Sequence, residues 1–336
     1  MNTEFKKVAI VGAGSWGTAL ASVLAERGCE VKLYGRDQQR MSEMEKQRCN
    51  QTYLPHLKLA DAIECVADIK KIDGADLVLM VVPSQHYSQT LLQIKQECPR
   101  LGEKTWLSCA KGVEISSGKR MSELIETVFP HAEVGILTGP NHAEEVSQKL
   151  ATAAVIAMKD LERAAVVQRL MTLSWLRTYT TDDRVGVEWA AALKNPYAIA
   201  AGLARGLQLG DNAIAALVTR TLAEMVRFGI ACGAQVNTFY GLAGLGDLMT
   251  TCFSEHSRNH RVGYRLARGE SLATIVSSTK MIAEGVSNTL SLYQRSVKDH
   301  LSTPILKEVH AVLYEQKAPK LALQDLLSRD PRPEKD

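Results

Sequence analysis

The cysteines lack any pairing pattern: Cys29, Cys49, Cys65, Cys98, Cys109, Cys232 and Cys252 are odd in number, scattered, and show no C-x-x-C spacing. This argues against a disulfide scaffold and for a reducing compartment, the cytoplasm. Charge of one sign is also missing. A net charge of +3 is too small to imply nucleic acid or a membrane surface as a partner, although basic residues crowd between Arg258 and Arg268. No run approaches the about 18 apolar residues of a membrane span, so no membrane insertion is expected. Residues 8–25, uncharged and preceded by Lys6 and Lys7, imitate a secretory leader; Gly12, Gly14 and Gly17 within them have a mechanical purpose that a leader core does not need. Repeats and low-complexity tracts are absent too, which excludes solenoids and leaves function to local sites. What remains, 46% hydrophobic and 23% charged residues, is the composition of an ordinary globular protein. Its 336 residues exceed the usual size of one core, so two domains are expected.

Short β-branched runs at residues 8–11, 30–34, 75–82, 105–108, 134–137 and 152–157 alternate with amphipathic stretches. Leu77-Val78-Leu79-Met80-Val81-Val82 is apolar at every position, as in parallel strands covered on both faces. The pattern predicts an α/β fold with an N-terminal Rossmann-like, doubly wound parallel sheet. Strand signals stop near Asp182, and Ala- and Leu-rich helical periodicity follows to about Leu327. We therefore read residues 1–185 as a dinucleotide-binding domain, 186–330 as an all-α substrate domain, and 331–336 as the end of a charged, Pro-rich disordered tail.

The strongest local signal is Val8-Ala9-Ile10-Val11-Gly12-Ala13-Gly14-Ser15-Trp16-Gly17, a strand, a G-x-G-x-x-G turn, then a helix-forming run that stops at Gly28. Gly12 permits the tight turn, Gly14 lets backbone approach a pyrophosphate, and Gly17 lets helix and strand pack closely, with free N–H groups aimed at the anion. The next strand ends at Leu33-Tyr34-Gly35-Arg36-Asp37, with Gly35 near the place where an acid would bond the ribose hydroxyls. Without that carboxylate and with Arg36 beside it, the site is expected to take NADPH or NADH, with NADPH accommodated by Arg36. A register shift of two residues would instead put Asp37 in the acid's place.

Reducing a ketone by hydride transfer needs a proton donor, charge stabilisation at the oxygen, and a clamp on the substrate. Lys111 follows a strand and should stand at the carboxyl end of the sheet, where ligands of open α/β folds bind. Lys194 is a lone cation in an apolar helix; burial would lower its pKa into the working range of a general acid or base, whereas a snorkelling lysine is the ordinary alternative. Pro196 cannot donate to the Ala192 carbonyl and should kink this helix, freeing that carbonyl for ligand or water. The glycine-rich segment 241–246 reads as a loop delivering Asp247. Ser257-Arg258-Asn259 offers a guanidinium with hydroxyl and amide donors, a set that binds a compact phosphate. Cys252, His256 and His260 would align as ligands only on a continuous helix, and without H-E-x-x-H or a cysteine pair no metal is expected.

Together these segments resemble the bacterial-type NAD(P)-dependent glycerol-3-phosphate dehydrogenases. The resemblance rests on Gly139-Pro140-Asn141-His142-Ala143-Glu144-Glu145, Ala192-Leu193-Lys194-Asn195, residues 244–247 with Thr251-Cys252, Ser257-Arg258-Asn259, and Ala283-Glu284-Gly285. It implies reversible reduction of dihydroxyacetone phosphate to sn-glycerol 3-phosphate, feeding glycerophospholipid synthesis. Carried over by position, Lys194 is the proton donor and acceptor, with Lys111 and Asp247 beside it in substrate binding. Gly139, Asn141, Ser257, Arg258 and Asn259 fall on substrate positions. Gly12, Gly14, Ser15, Trp16, Gly17, Arg36, Tyr53, Lys111, Ala143, Arg258, Ile282 and Glu284 fall on cofactor positions. Arg205 and Pro196 depart from the family pattern, where an acid and a β-branched residue are more usual. A homodimer is expected from the general prevalence of such oligomers. Rival readings are a β-hydroxyacid dehydrogenase of related architecture and a non-catalytic dinucleotide sensor.

Overall fold

The apolar runs of the first half form the strands of one sheet in a computed structural model, which describes residues 5–279, 282–331, 333 and 334. In chain order the strands are β1 (Lys7–Val11), β2 (Glu30–Tyr34), β3 (Cys49–Asn50), β4 (Leu54–Lys58), β5 (Ile63–Val66), β6 (Leu77–Met80), β7 (Thr105–Ser108), β8 (Glu133–Thr138), β9 (Thr152–Met158) and β10 (Leu176–Thr181). Between them lie α1 (Ser15–Glu26), α2 (Gln38–Gln47), α3 (Tyr87–Glu97), α4 (Met121–Val128), α5 (Ala143–Ser147) and α6 (Leu161–Met171). The 8-stranded sheet has the order β10-β9-β8-β7-β6-β1-β2-β5. β3 and β4 form a separate antiparallel hairpin. Every residue of β6 and β7 is buried, because helices cover both faces of the sheet.

One ladder departs from the expected parallel pattern: β9 runs antiparallel to β8, while β10 is parallel to β9. The cause is the connection. α5 between β8 and β9 has 5 residues, too few to carry the chain back along the length of a sheet.

The second half is helical: α7 (Arg184–Gly206), α8 (Asp211–Ala231), α9 (Val236–Tyr240), α10 (Asp247–Phe253), α11 (Arg258–Ala267), α12 (Leu272–Ser277), α13 (Glu284–Lys298), α14 (Pro304–Tyr314) and α15 (Pro319–Leu327). α7 is buried on nearly every side, as befits a helix rich in Ala and Leu all round. The helix continues through Pro196. The Asn288 side-chain amide donates to the freed Ala192 carbonyl at 3.5 Å. Arg205 pairs with Asp211 at 3.5 Å in an exposed contact that contributes little to stability. In the terminal tail the Glu334 carbonyl accepts from Arg220 at 3.2 Å; residues 332, 335 and 336 lie outside the described residues.

α7 and α11 touch backbone to backbone. A Cβ at Gly263 would collide with the Ile199 carbonyl, and one at Gly202 with the His260 carbonyl. Gly263→Ala gains about 1 kcal/mol of helix propensity but forces two helices apart, a strain of about 1–3 kcal/mol or more. We expect a lower Tm for Gly263→Ala by calorimetry; an unchanged or raised Tm would mean the helices separate freely.

One local expectation changes. Residues 241–246 are not an open loop: Leu242–Gly246 forms a single π-helical turn that runs into α10. Such turns recur at functional sites, and this one leads directly into Asp247. Cys252, His256 and His260 do not share a helix, since α10 ends at Phe253 and α11 begins at Arg258. Among the described residues no group of His, Cys, Asp and Glu could hold a metal ion. Nor, among those residues, is any helix long and apolar enough to cross a membrane.

Candidate active site

The cleft lies at the carboxyl ends of β1, β2, β6 and β7, facing α7, α11 and α13, and encloses about 520 Å³. Its floor is the glycine turn. Gly12 has φ +121°, and a Cβ there would come within 2.6 Å of the Val81 carbonyl oxygen. A Cβ at Gly17 would strike the Gly12 carbonyl, whereas Gly14 faces open space. The turn is pinned from behind by Asn50, which donates to the Ala13 carbonyl at 3.2 Å and to Thr18 Oγ1 at 2.8 Å. No side chain caps α1, so its first N–H groups face the cleft, and the buried Trp16 Nε1 beside them has no partner among the described residues. Unspent donors round an open glycine form a cradle for a pyrophosphate.

At the end of β2, Tyr34, Gly35, Arg36 and Arg40 line the cleft. Asp37 does not: its carboxylate caps α2 by accepting from the Arg40 amide at 3.0 Å. That bond argues against the two-residue register shift, because the acid is turned to its own helix. Arg40, which sequence reasoning missed, lies 5.3 Å from the ring centre of Tyr53. Two guanidinium groups and no carboxylate suit a 2′-phosphate. Arg36→Ala is expected to raise KM for NADPH more than that for NADH; equal increases in paired titrations would remove the argument.

Deeper in, two lysines from different halves of the chain meet one carboxylate. Lys194 Nζ donates to Asp247 Oδ1 at 2.7 Å and to Thr251 Oγ1 at 2.7 Å. Lys111 Nζ donates to Asp247 Oδ2 at 2.8 Å, the Gly139 carbonyl at 3.0 Å and Asn141 Oδ1 at 3.1 Å. Asp247 is 2% and Lys194 4% exposed. Burial lowers the Lys194 pKa to about 8, outweighing the pull of the Asp247 carboxylate, and the Lys111 charge adds to the lowering. For Asp247 burial opposes ionisation, yet the two ammonium groups hold its carboxyl below its usual range. Burial, helped by the charges of Lys194 and Lys111, lowers His142 to about 4, so its imidazole is neutral at physiological pH; its Nε2 has no partner among the described residues.

An ammonium has three donors. Lys111 spends all of its own on protein acceptors, while Lys194 spends two among the described residues and keeps one for the cleft it lines. That difference separates two lysines which local sequence alone leaves equivalent.

Of the other expected site residues, Ser15, Ala143, Ser257, Asn259, Ile282 and Glu284 line the same cleft. Gly139 and Asp247 reach it through their bonds to Lys111. Arg258 also lines it, bonded to the Ile282 carbonyl at 2.9 Å. Ser257 caps α11 by accepting from the His260 amide at 3.2 Å. Asn259 spends its amide on Asn195 Oδ1 and accepts from the Gly285 amide, both at 2.9 Å. Glu284 accepts from the Ser84 amide at 3.2 Å and its hydroxyl at 2.5 Å, which ties α13 to the loop after β6.

A glycine-turn Rossmann sheet joined to a helical half that delivers a buried lysine defines the class: an NAD(P)-dependent oxidoreductase. Family models place it further. The model described as NAD-dependent glycerol-3-phosphate dehydrogenase N-terminus matches residues 7–164, and that of the C-terminus matches residues 183–324. The chain belongs to the NAD-dependent glycerol-3-phosphate dehydrogenase family. It is 41% identical to a protein of Chlorobium phaeobacteroides named glycerol-3-phosphate dehydrogenase, NAD(P)+, over 98% of this chain and 99% of the relative. A protein of the same name in Geobacter metallireducens is 42% identical, with coverage of 98% and 99%. The crystal structure of glycerol-3-phosphate dehydrogenase from Coxiella burnetii superposes with a TM-score of 0.93 at 34% identity, covering 96% of this chain and 99% of that one.

Proposed function

We propose that the chain catalyses the reversible NAD(P)H-dependent reduction of dihydroxyacetone phosphate to sn-glycerol 3-phosphate, with Lys194 as general acid and base at the C2 oxygen. The observation that carries this reading is the spare donor of Lys194, in the cleft that Arg258 and the glycine turn also line. The dinucleotide, when bound, supplies the hydride that C2 receives. The chain does the rest. Gly12, Gly14, Ser15, Trp16 and Gly17 hold the pyrophosphate side, and Arg36, Tyr53, Ala143, Ile282 and Glu284 the remainder of the cofactor. Arg258, with Ser257 and Asn259, holds the substrate phosphate. Lys111, Gly139, Asn141 and Asp247 fix the ammonium framework in which negative charge on the C2 oxygen is stabilised. We assign the cofactor to residues 1–185 and the substrate chiefly to 186–330. On the family resemblance, the product feeds glycerophospholipid synthesis in the cytoplasm, and the working unit is a homodimer.

The test is oxidation of NADPH or NADH followed at 340 nm on adding dihydroxyacetone phosphate; oxidation of neither overturns the reading. With Lys194 titrating near 8, reduction, which needs the ammonium, is expected to be level below that pH and to fall above it. Oxidation of the alcohol needs the free amine and should rise through the same pH. Identical profiles in both directions would take the proton away from Lys194.

A further inference from the structure

Pro196 lacks the N–H that would close the helical bond to the Ala192 carbonyl, on the very turn that carries Lys194. The acceptor faces Asn288, a fully buried residue of α13, 0% exposed. Its Nδ2 donates to the Lys111 carbonyl at 2.8 Å and lies 3.5 Å from the Ala192 carbonyl oxygen. A primary amide has two hydrogens, so one side chain can serve both acceptors. The Lys111 carbonyl also accepts from Asn195 at 2.9 Å, which clamps the loop of Lys111 to α7 and α13 together.

We propose that Asn288 is a positioning residue: it replaces the helix bond forfeited at Pro196 and thereby ties the turn of Lys194 to the loop of Lys111. This rests on the reading of Lys194 as the proton-transferring group. Asn288 touches neither ammonium; its bonds end on backbone carbonyls either side of the site. Both lysines converge on Asp247, so a drift of either backbone changes where the spare donor of Lys194 points, and small misplacements of reacting groups are costly. The sequence hides the arrangement, since Pro196 and Asn288 are linked only by the fold.

The test is a double-mutant cycle of Asn288→Ala and Pro196→Val, the second restoring the N–H that Ala192 needs. Full-length proteins are compared for kcat with dihydroxyacetone phosphate and for NADPH affinity by fluorescence. We expect Asn288→Ala to lower kcat about tenfold with NADPH affinity unchanged, and to lower it only about threefold in the Pro196→Val background. Should the alanine variant not fold, Asn288→Ser is carried through the same two backgrounds and read by the same ratio. Equal losses in both backgrounds, or a kcat for Asn288→Ala within twofold of the parent, overturn the proposal. Failure of the unsubstituted protein to turn over overturns the parent reading instead, and the two failures are thus distinct.

Discussion

Lys194→Ala is expected to cut kcat by about a thousandfold, the ordinary contribution of a positioned proton donor being about 10²–10⁴, while NADPH still binds. The structure explains why the loss would fall on chemistry. Among the described residues Lys194 hydrogen-bonds to Asp247 and Thr251 and to no residue of the glycine turn, so the cradle is expected to survive its removal. Nor is Asp247 orphaned, because Lys111 remains 2.8 Å from its other oxygen. Lys194→Arg should be as inactive, since a guanidinium does not release its proton near neutrality. Steady-state assays paired with fluorescence titration of NADPH make the check. Turnover within tenfold of the parent would move the proton donor elsewhere, and lost turnover with intact cofactor binding would dispose of a mere dinucleotide sensor.

Asp247→Asn should be the most damaging change to the fold, costing about 3–5 kcal/mol at neutral pH, because it leaves buried ammonium groups without their counter-charge. The cost carries a pH signature. In the parent, Asp247 is held below its usual pKa, so its contribution is present at neutrality and disappears as pH falls through that lowered value. Lys194 shifts in the same direction but at a cost to the folded state: its folded pKa of about 8 lies under its ordinary 10.5. Between those values the folded chain holds fewer protons than the unfolded one, and stability rises with pH. Removing the carboxylate deletes the group that pulled the Lys194 pKa upward, so in Asp247→Asn the rising interval begins lower. The deficit against the parent should shrink as pH goes from neutral to about 8 and stay level above it, where both proteins gain alike, read by denaturant unfolding at a series of pH values. A deficit constant across that range would show that the lysines are not the source of the cost.

How much of this was legible depends on how local each feature is. The glycine turn was, because its spacing encodes one continuous piece of backbone between β1 and α1. β6 and β7 were too, as runs buried at every position. β10 was missed, since Leu176–Thr181 carries Arg, Tyr and Thr: at the edge of the sheet, Arg177 and Tyr179 face outward. The antiparallel turn of β9 was missed because it depends on the length of α5. The π-helical turn before Asp247 has the sequence of a loop, since glycines that allow tight packing and glycines that open a turn look alike in a sequence. Lys111 and Asp247 stand far apart in the chain and came together on paper only through family resemblance. Asp37 and Arg36 show the same limit at close range: only coordinates reveal that the acid serves as a helix cap.

The contact between α7 and α11 has a consequence for selectivity. Lys194 rises from one of these helices and Arg258 begins the other, and their main chains already touch at Gly202 and Gly263. On the reading above, the gap between proton donor and phosphate anchor is a ruler cut in main chain, out of reach of side-chain trimming. Analogues one carbon longer would therefore be measured and refused by the scaffold itself.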